Sequence, residues 1–257
     1  MSTSPEVIRS RSNRRFQRLR KLAANCASSD CPWALVEGWK QVSDLSRTLE
    51  IEVLLYSQDS DIRLAKLRRQ SRNIFHLSEP LFQALSHVEN PQGVAAFFPK
   101  RKWHWSDLGP YVLYAHKIQD PGNLGTLLRT AESTGLFTLV TSPGSVACYG
   151  AKTVRASVGA ALRLPLLEAI PWKSFRSRGF QLWATTHLGG TSLFQARFRP
   201  PLAVLVGNEG NGLPGRIMDE ADHHLHIPMG SGAGSLNAAV AGSLALYEVF
   251  RREPGHE

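Results

Sequence analysis

The sequence predicts an α/β protein of two parts, each alternating strands with helices, the second built on a parallel sheet covered on both faces. Three observations carry this expectation. Short apolar, β-branched runs recur between amphipathic stretches along the chain. Residues 99–110 break that alternation with two prolines, a basic triplet and two tryptophans. Beyond them, runs such as Tyr111–His116 and Leu202–Val206 lack any polar alternation, the pattern of strands buried on two sides.

Taken in order, residues 1–12 are expected to be disordered. Phe16, Leu19 and Leu22 then mark an amphipathic helix from Asn13 with a basic outer face. A short strand at 34–37 leads to Gly38, which opens a helix carrying Trp39, Val42 and Leu45 on one side. Ile51–Tyr56 reads as a strand, about 59–70 as a helix, 73–77 as a strand, 80–86 as a short helix and 93–98 as a strand. In the linker, Trp103 and Trp105 are expected to anchor the segment to its own domain in preference to stacking on bases. The second half reads as strand 111–116, helix 122–133, strand 136–141 and helix 149–161. Strands at 181–185, 202–206 and 225–228 follow, and a closing helix over 234–251.

The totals bound the function. With 257 residues, 42% hydrophobic and 20% charged, the chain suits one large or two modest globular domains. The longest uncharged stretch, Gly230–Tyr247, is too rich in Gly, Ser and Asn for a membrane span, which needs about 20 mainly apolar residues. No signal-peptide pattern opens the chain, and three cysteines (Cys26, Cys31, Cys148) without a C-x-x-C pair fit a reduced compartment, so a cytoplasmic location is expected. His223, His224 and His226 are read as strand packing, because no carboxylate or cysteine beside them completes a metal site; no metal is expected. The net charge of +9 points to a polyanionic partner. Most of it lies early: residues 1–102 hold 17 Lys and Arg against 10 Asp and Glu. Arg14, Arg15 and Arg18 belong to this basic arm and are candidates for phosphate contacts.

Three motifs carry chemistry. Gln119-Asp-Pro-Gly-Asn-Leu-Gly-Thr-Leu-Leu-Arg-Thr-Ala131 follows a strand, turns on Pro121-Gly122 and enters a helix, with Asn123 in the position of an N-cap and Arg129 nearly two turns later. It would open at the sheet edge where α/β proteins bind ligands. Val206-Gly-Asn-Glu-Gly-Asn-Gly-Leu213 ends another strand, with Glu209 inside a glycine-rich turn; its spacing is neither a dinucleotide fingerprint nor a P-loop. Ile227-Pro-Met-Gly-Ser-Gly-Ala-Gly-Ser-Leu-Asn-Ala-Ala-Val-Ala241 runs from a strand through glycines into a small-residue helix whose start carries Ser235 and Asn237. Such a turn exposes backbone N–H groups free of side-chain bulk.

Together with Arg155-Ala-Ser-Val-Gly159, these motifs resemble, in order and spacing, those of the SpoU/TrmH family of the SPOUT class, AdoMet-dependent RNA ribose 2′-O-methyltransferases. The resemblance covers about residues 111–252. Val36-Glu-Gly38 and Asn90-Pro-Gln-Gly93 give the first part a looser resemblance to the L30e-like RNA-binding domain that many members carry. The division implied is 1–98 for the basic arm and L30e-like substrate-binding domain, 99–110 for the linker and 111–257 for the methyltransferase domain.

The resemblance also implies a C-terminal trefoil knot, S-adenosyl-L-methionine as cofactor, a homodimer and an RNA substrate. The catalytic set falls on Arg129, Asn123, Glu209, Ser235 and Asn237, the cofactor-contacting set on Thr185, Gly207, Ile227 and Leu236, and RNA contacts on Arg14, Arg15, Arg18 and Arg129. One departure is visible: the family's usual Val-Ser-Val after Ser-Leu-Asn is Ala238-Ala239-Val240 here, which loses a hydroxyl.

Ribosomal RNA, 23S in particular, is the favoured substrate. A tRNA enzyme, an antibiotic-resistance methyltransferase and a non-catalytic ribosome-assembly factor are the alternatives. A nicotinamide enzyme is excluded because its fingerprint and ribose-binding acid are missing.

Overall fold

The computed structural model describes residues 6–58, 62–230 and 234–253. The chain divides into two compact units, Met1–Arg101 with Tyr149–Leu162, and Lys102–Cys148 with Arg163–Glu257.

The first unit carries β1 (Val7–Ile8), α1 (Arg14–Asn25), β2 (Trp33–Glu37), α2 (Trp39–Leu45), β3 (Ile51–Tyr56), α3 (Ile62–Arg69), β4 (Ser71–Leu77), α4 (Glu79–Leu85) and β5 (Val94–Pro99). The strands form one mixed sheet in the order β1-β4-β3-β5-β2. Asn13 starts α1 by accepting from the backbone N–H of Arg15 (2.9 Å) and Phe16 (3.4 Å), two donors the helix itself leaves unpaired. The apolar stripe then buries Phe16, Leu19 and Ala23 against Leu81, Phe82 and Leu85 of α4 and against Leu35, Val53, Leu55 and Phe97 of the sheet. Gly38 (φ +97°) adopts a conformation costly for any other residue, while Gln92 Oε1 accepts from Trp39 N–H at 3.0 Å. The two short cues singled out in the sequence thus meet in one turn.

In this unit the structure corrects the expected disorder of residues 1–12: Val7 and Ile8 pair in parallel with His76 and Leu77. Two residues are too few for periodicity to reveal. Residues 1–5, and 59–61 at the start of the expected helix, lie outside the described residues. The expected helix 149–161 is shorter, α6 (Ala151–Ala156), because Val158 (φ +52°) and Gly159 (φ +81°) reverse the chain before a 3-10 turn at Ala160–Leu162. Cys26 and Cys31 are free and buried. Burial, with Cys31 beside it, pushes the Cys26 thiol up to about 12.

The second unit is a seven-stranded sheet, parallel throughout. Its elements are β6 (Tyr111–Ala115), α5 (Pro121–Thr134), β7 (Thr138–Thr141), β8 (Leu166–Leu167), α7 (Lys173–Arg176), β9 (Gln181–Thr186), β10 (Thr191–Ser192), β11 (Leu202–Val206), α8 (Gly215–Glu220), β12 (His223–His226) and α9 (Ala238–Arg252). The strand order is β10-β12-β9-β11-β6-β7-β8. Every residue of β6, β7 and β11 is buried, as strands covered on both faces require. One pleat face packs Val112, Tyr114, Val140, Leu182, Ala203 and Leu205 onto Trp172, Phe175 and Ile217. α5 and α9 lie together on the other: Thr130 and Ser243 share a hydroxyl hydrogen bond of 2.9 Å, and a Cβ on Gly242 would stand 2.6 Å from Leu127 and 3.1 Å from Val206.

Four elements escape the sequence reading, β8, β10, α7 and α8, all of six residues or fewer. The 225–228 strand is displaced to 223–226, so Ile227 and Pro228 lead away from the sheet. The closing helix begins at Ala238 rather than 234, and Ser231–Ala233 lie outside the described residues. Trp105 anchors its segment as expected, with its ring edge-on to Phe175 (5.3 Å) and under the Arg178 guanidinium (4.1 Å). His223 stacks on Trp183 at 4.0 Å, and among the described residues no cluster of three metal-ligating side chains occurs.

Candidate active site at the carboxyl edge of the second sheet

In a parallel sheet every strand delivers its following loop to the same edge, so residues after β6, β9, β11 and β12 converge there. The sheet order makes β9, β11 and β6 neighbours, which brings the first two motifs side by side.

Glu209 joins them. Its Oε1 accepts from Asp120 N–H (3.1 Å) and Asn123 Nδ2 (3.0 Å), and its Oε2 from Gln119 N–H (3.2 Å) and Asn208 Nδ2 (3.3 Å). Burial works against the carboxylate's charge, but the Asn123 amide and the backbone N–H groups outweigh it and hold its pKa below the usual range. Asn123 then reaches the third motif: its Oδ1 accepts from Asn237 Nδ2 at 3.0 Å. Asn237 caps α9, its Oδ1 accepting from Ala239 N–H (2.9 Å) and Val240 N–H (3.2 Å). A continuous bridge thus runs Glu209–Asn123–Asn237 through all three motifs.

Two expectations change. Asn123 is not the cap of α5; Asp120 is, accepting from Asn123 N–H at 2.7 Å, which frees the Asn123 amide to bridge. Ser235 and Asn237 do not stand inside a helix: Asn237 caps α9, and Ser235 and Leu236 precede it, both exposed.

The remaining residues take distinct places. Arg129 is exposed on α5, and makes no hydrogen bond or ion pair with any described residue. Thr185 sits at the end of β9, beside Leu225 of β12, and donates its hydroxyl to Leu205 O at 2.9 Å. Ile227 is buried directly beyond β12. Gly207 is held by contact: a Cβ there would lie 2.2 Å from the Gly212 carbonyl carbon and 2.4 Å from Leu213 N. Arg14, Arg15 and Arg18 are exposed on α1 of the first unit.

The sequence reading missed Asp120, Gln119 and Asn208 as parts of the site. Asn208 Oδ1 accepts from Gly210 N–H and Asn211 N–H while its Nδ2 donates to Lys117 O at 2.8 Å, so one side chain fixes the loop and ties it to the segment after β6. The signal was its place between Gly207 and Gly210, where an Asx turn is favoured. His116, ending the β6 run, is buried; burial, with Lys117 and Arg216, holds its pKa below the ordinary value, so the ring is neutral near pH 7.

The lowered pKa of Glu209 has a measurable consequence. Its ionised bonds stabilise the fold fully above the unfolded-state value of ~4.3 and are lost as pH falls through the lower folded-state value. The melting-temperature gap between the native chain and Glu209→Gln is therefore expected to be widest near neutrality and to narrow on acidification below that range. A gap independent of pH would mean that the charge on Glu209 does not hold the loops.

The cradle suits a ligand gripped by backbone. A Cβ built on Gly230 or Gly234 meets nothing within 4 Å, and Leu188 and Leu236 leave apolar side chains exposed in the segments beyond β9 and β12. The donors are neutral amides and main-chain groups, and of the two carboxylates Glu209 accepts four hydrogen bonds while Asp120 caps α5.

Comparison with known proteins points one way. The profile of the SpoU rRNA Methylase family matches residues 110–247, and that of the MRM3-like substrate binding domain residues 13–96. An uncharacterised tRNA/rRNA methyltransferase of Synechocystis is 31% identical over 206 residues, 77% of this chain and 75% of its own. The 23S rRNA (guanosine(2553)-2′-O)-methyltransferase RlmP of Bacillus subtilis is 28% identical over 94% of this chain and 98% of its own. Among solved structures, the AdoMet-bound rRNA methyltransferase of Sinorhizobium meliloti is similar with a TM-score of 0.81 at 27% identity, covering 96% of this chain and 97% of that one. The SpoU methyltransferase AviRb of Streptomyces viridochromogenes, also with AdoMet, gives 0.81 at 26%, covering 95% and 100%.

Proposed function

This chain belongs to the SpoU rRNA methylase family, and on that footing we propose that it transfers a methyl group from AdoMet to a ribose 2′-hydroxyl of RNA, with 23S ribosomal RNA as substrate. The observation that carries the reading is the Glu209–Asn123–Asn237 bridge, which gathers three distant motifs at one sheet edge.

AdoMet, when bound, supplies a methyl on a sulfonium that leaves as a neutral thioether, so the protein's task is alignment and charge stabilisation. The main chain at Gly207, Ile227 and Leu236 and the strand end at Thr185 would hold it. Arg129, exposed and uncommitted among the described residues, grips a phosphate of the target nucleotide and faces the charge developing on the ribose oxygen. It is no base, since a guanidinium stays protonated to a pH above ~12. Glu209 is no base either: its oxygens already accept four hydrogen bonds, and its lowered pKa makes it a weak proton acceptor, so the hydroxyl proton passes to solvent water as the O–CH3 bond forms. It holds Asn123 and the loop after β6, while Ser235 and Asn237 position the ribose beside the cofactor. Holding both reactants in line could lower the barrier by about 7 kcal/mol.

Residues 1–98 serve as the RNA-binding domain, with Arg14, Arg15 and Arg18 on phosphates, 99–110 as linker and 111–257 as the catalytic, knotted domain. The knot is supported by the path of the chain: β12 returns to the far side of β9, and α9 then goes back to lie on α5. The enzyme acts as a cytoplasmic homodimer. Val240, Leu244 and Tyr247, at spacings of four and three, leave one apolar stripe of α9 exposed, with Leu236 exposed just before the helix, and a second copy would cover it. Among the described residues, no helix is long and apolar enough to cross a membrane.

Calorimetry and sedimentation test this reading together. The expected result is one AdoMet per chain and a particle of twice the chain mass that Leu244→Glu splits. Absence of AdoMet binding would favour a non-catalytic RNA-binding factor, and a monomer at micromolar concentration would remove the dimer.

A further inference from the structure

The first unit holds a cavity of about 460 Å³ between α1 and the turn that follows it. Arg18, Lys21, Leu22 and Asn25 line its helical side, at the spacing i, i+3, i+4, i+7 of a single helix face. Asp30 and Cys31 line the other side. The lining therefore offers two cations, an apolar floor from Leu22 and Cys31, and hydrogen-bonding groups from Asn25 and Asp30.

The turn is held in place from several directions. Ser28 N–H donates to Asn25 O (3.0 Å), Cys31 N–H to Ser28 O (3.2 Å) and Lys100 Nζ to Ser28 O (2.7 Å). Asp30 N–H donates to the Ser28 hydroxyl at 3.2 Å, while the Asp30 carboxylate itself is exposed and makes no hydrogen bond or ion pair with any described residue. An exposed acceptor on a held turn, with no partner among the described residues, thus sits at one side of the cavity. Of the basic residues of α1, Arg18 and Lys21 line the cavity, and the helix carries no acidic residue.

We propose that this cavity binds one unstacked guanine nucleotide of a single-stranded segment in the RNA substrate. Arg18 and Lys21 take its phosphates, Leu22 and Cys31 the face of the base, and the Asp30 carboxylate the paired N1–H and N2–H donors of the guanine edge. Guanine is assigned because a carboxylate accepts two parallel N–H donors, an edge that adenine and the pyrimidines do not offer. A single strand is assigned because only an unstacked base exposes both its face and that edge. The cavity has the size of a small-ligand site. The inference rests on the reading that RNA is the substrate, and adds which nucleotide the first unit selects.

The test uses the full-length protein and fluorescently labelled pentanucleotides UUGUU, UUIUU (inosine, which lacks the N2 amino group) and UUAUU, with affinity read by anisotropy. The guanine oligomer is expected to bind roughly tenfold tighter than the inosine one, the scale of one hydrogen bond to a charged group. Asp30→Asn should erase that preference. Arg18→Gln combined with Lys21→Gln should weaken all three alike and lower the salt dependence, since about 0.7 counterions are released per single-strand phosphate contact. Equal native affinity for the three oligomers, or a guanine preference that survives Asp30→Asn, would overturn the proposal. AdoMet binding, measured on the same samples, separates the outcomes: its loss would count against the catalytic reading, and its persistence without guanine preference against this one alone.

Discussion

Gly207→Ala is expected to abolish AdoMet binding. The added Cβ would stand 2.2 Å from the Gly212 carbonyl carbon, 2.4 Å from Leu213 N and 2.6 Å from Gly212 O. All three are backbone atoms, so no side chain can swing aside. The loop over residues 207–213 is closed by two hydrogen bonds between Asn208 and Gly212 and tied to Lys117 O by the Asn208 amide. Relief of the clash must therefore break these bonds and shift Glu209, on which Asn123 and the loop after β6 depend. Overpacking against unyielding neighbours costs about 3 kcal/mol, enough to open the loop without unfolding a domain of this size. Calorimetry should find no AdoMet binding, and circular dichroism a folded chain with a lowered melting temperature. A variant that binds AdoMet normally would mean that this loop takes no part in holding the cofactor.

Arg129→Ala is expected to do the opposite, leaving AdoMet affinity and melting temperature unchanged while slowing methyl transfer. Its side chain is exposed and makes no bond to any described residue, so its removal costs the fold little. If it stabilises charge only as the ribose oxygen is attacked, the single-turnover rate should fall roughly 10²–10³-fold, the scale of removing one preorganised donor. Arg129→Lys keeps the charge without the planar fork and should recover only part of that loss. A near-normal rate for the lysine variant would eliminate any need for bidentate contact, and a near-normal rate for the alanine variant would remove Arg129 from the chemistry.

Much of the fold could be read from the chain because its long elements carry strong local signals. Tyr111–Ala115 and Leu202–Val206 are unbroken apolar runs, and Phe16, Leu19 and Leu22 recur at helical spacing. The failures have physical causes. Val7–Ile8 is ordered only by pairing with His76 and Leu77, an interaction 69 residues distant that no local window contains. The 149–161 segment looks helical throughout, and the reversal at Val158 and Gly159 leaves little trace beyond one glycine. Within the site, residue types were legible but partnerships were not. Asn123 looked like a cap because asparagine caps helices well; Asp120 three residues earlier performs that role, and nothing in one dimension shows that Asn123 instead spans to Glu209 and Asn237. Glu209 is 86 residues from Asn123, and Asn237 is 114, so only the strand order brings them together.

The most direct test of the catalytic reading is the position of the transferred methyl. The full-length protein would be incubated with methyl-labelled AdoMet and ribosomal RNA, and the product hydrolysed in alkali. Alkaline cleavage requires a free 2′-hydroxyl, so a nucleotide methylated there stays joined to its 3′ neighbour. Label recovered in alkali-resistant dinucleotides, and lost with Arg129→Ala, is the predicted result. Label confined to mononucleotides, which would place the methyl on a base, or no label in RNA at all, would contradict the account.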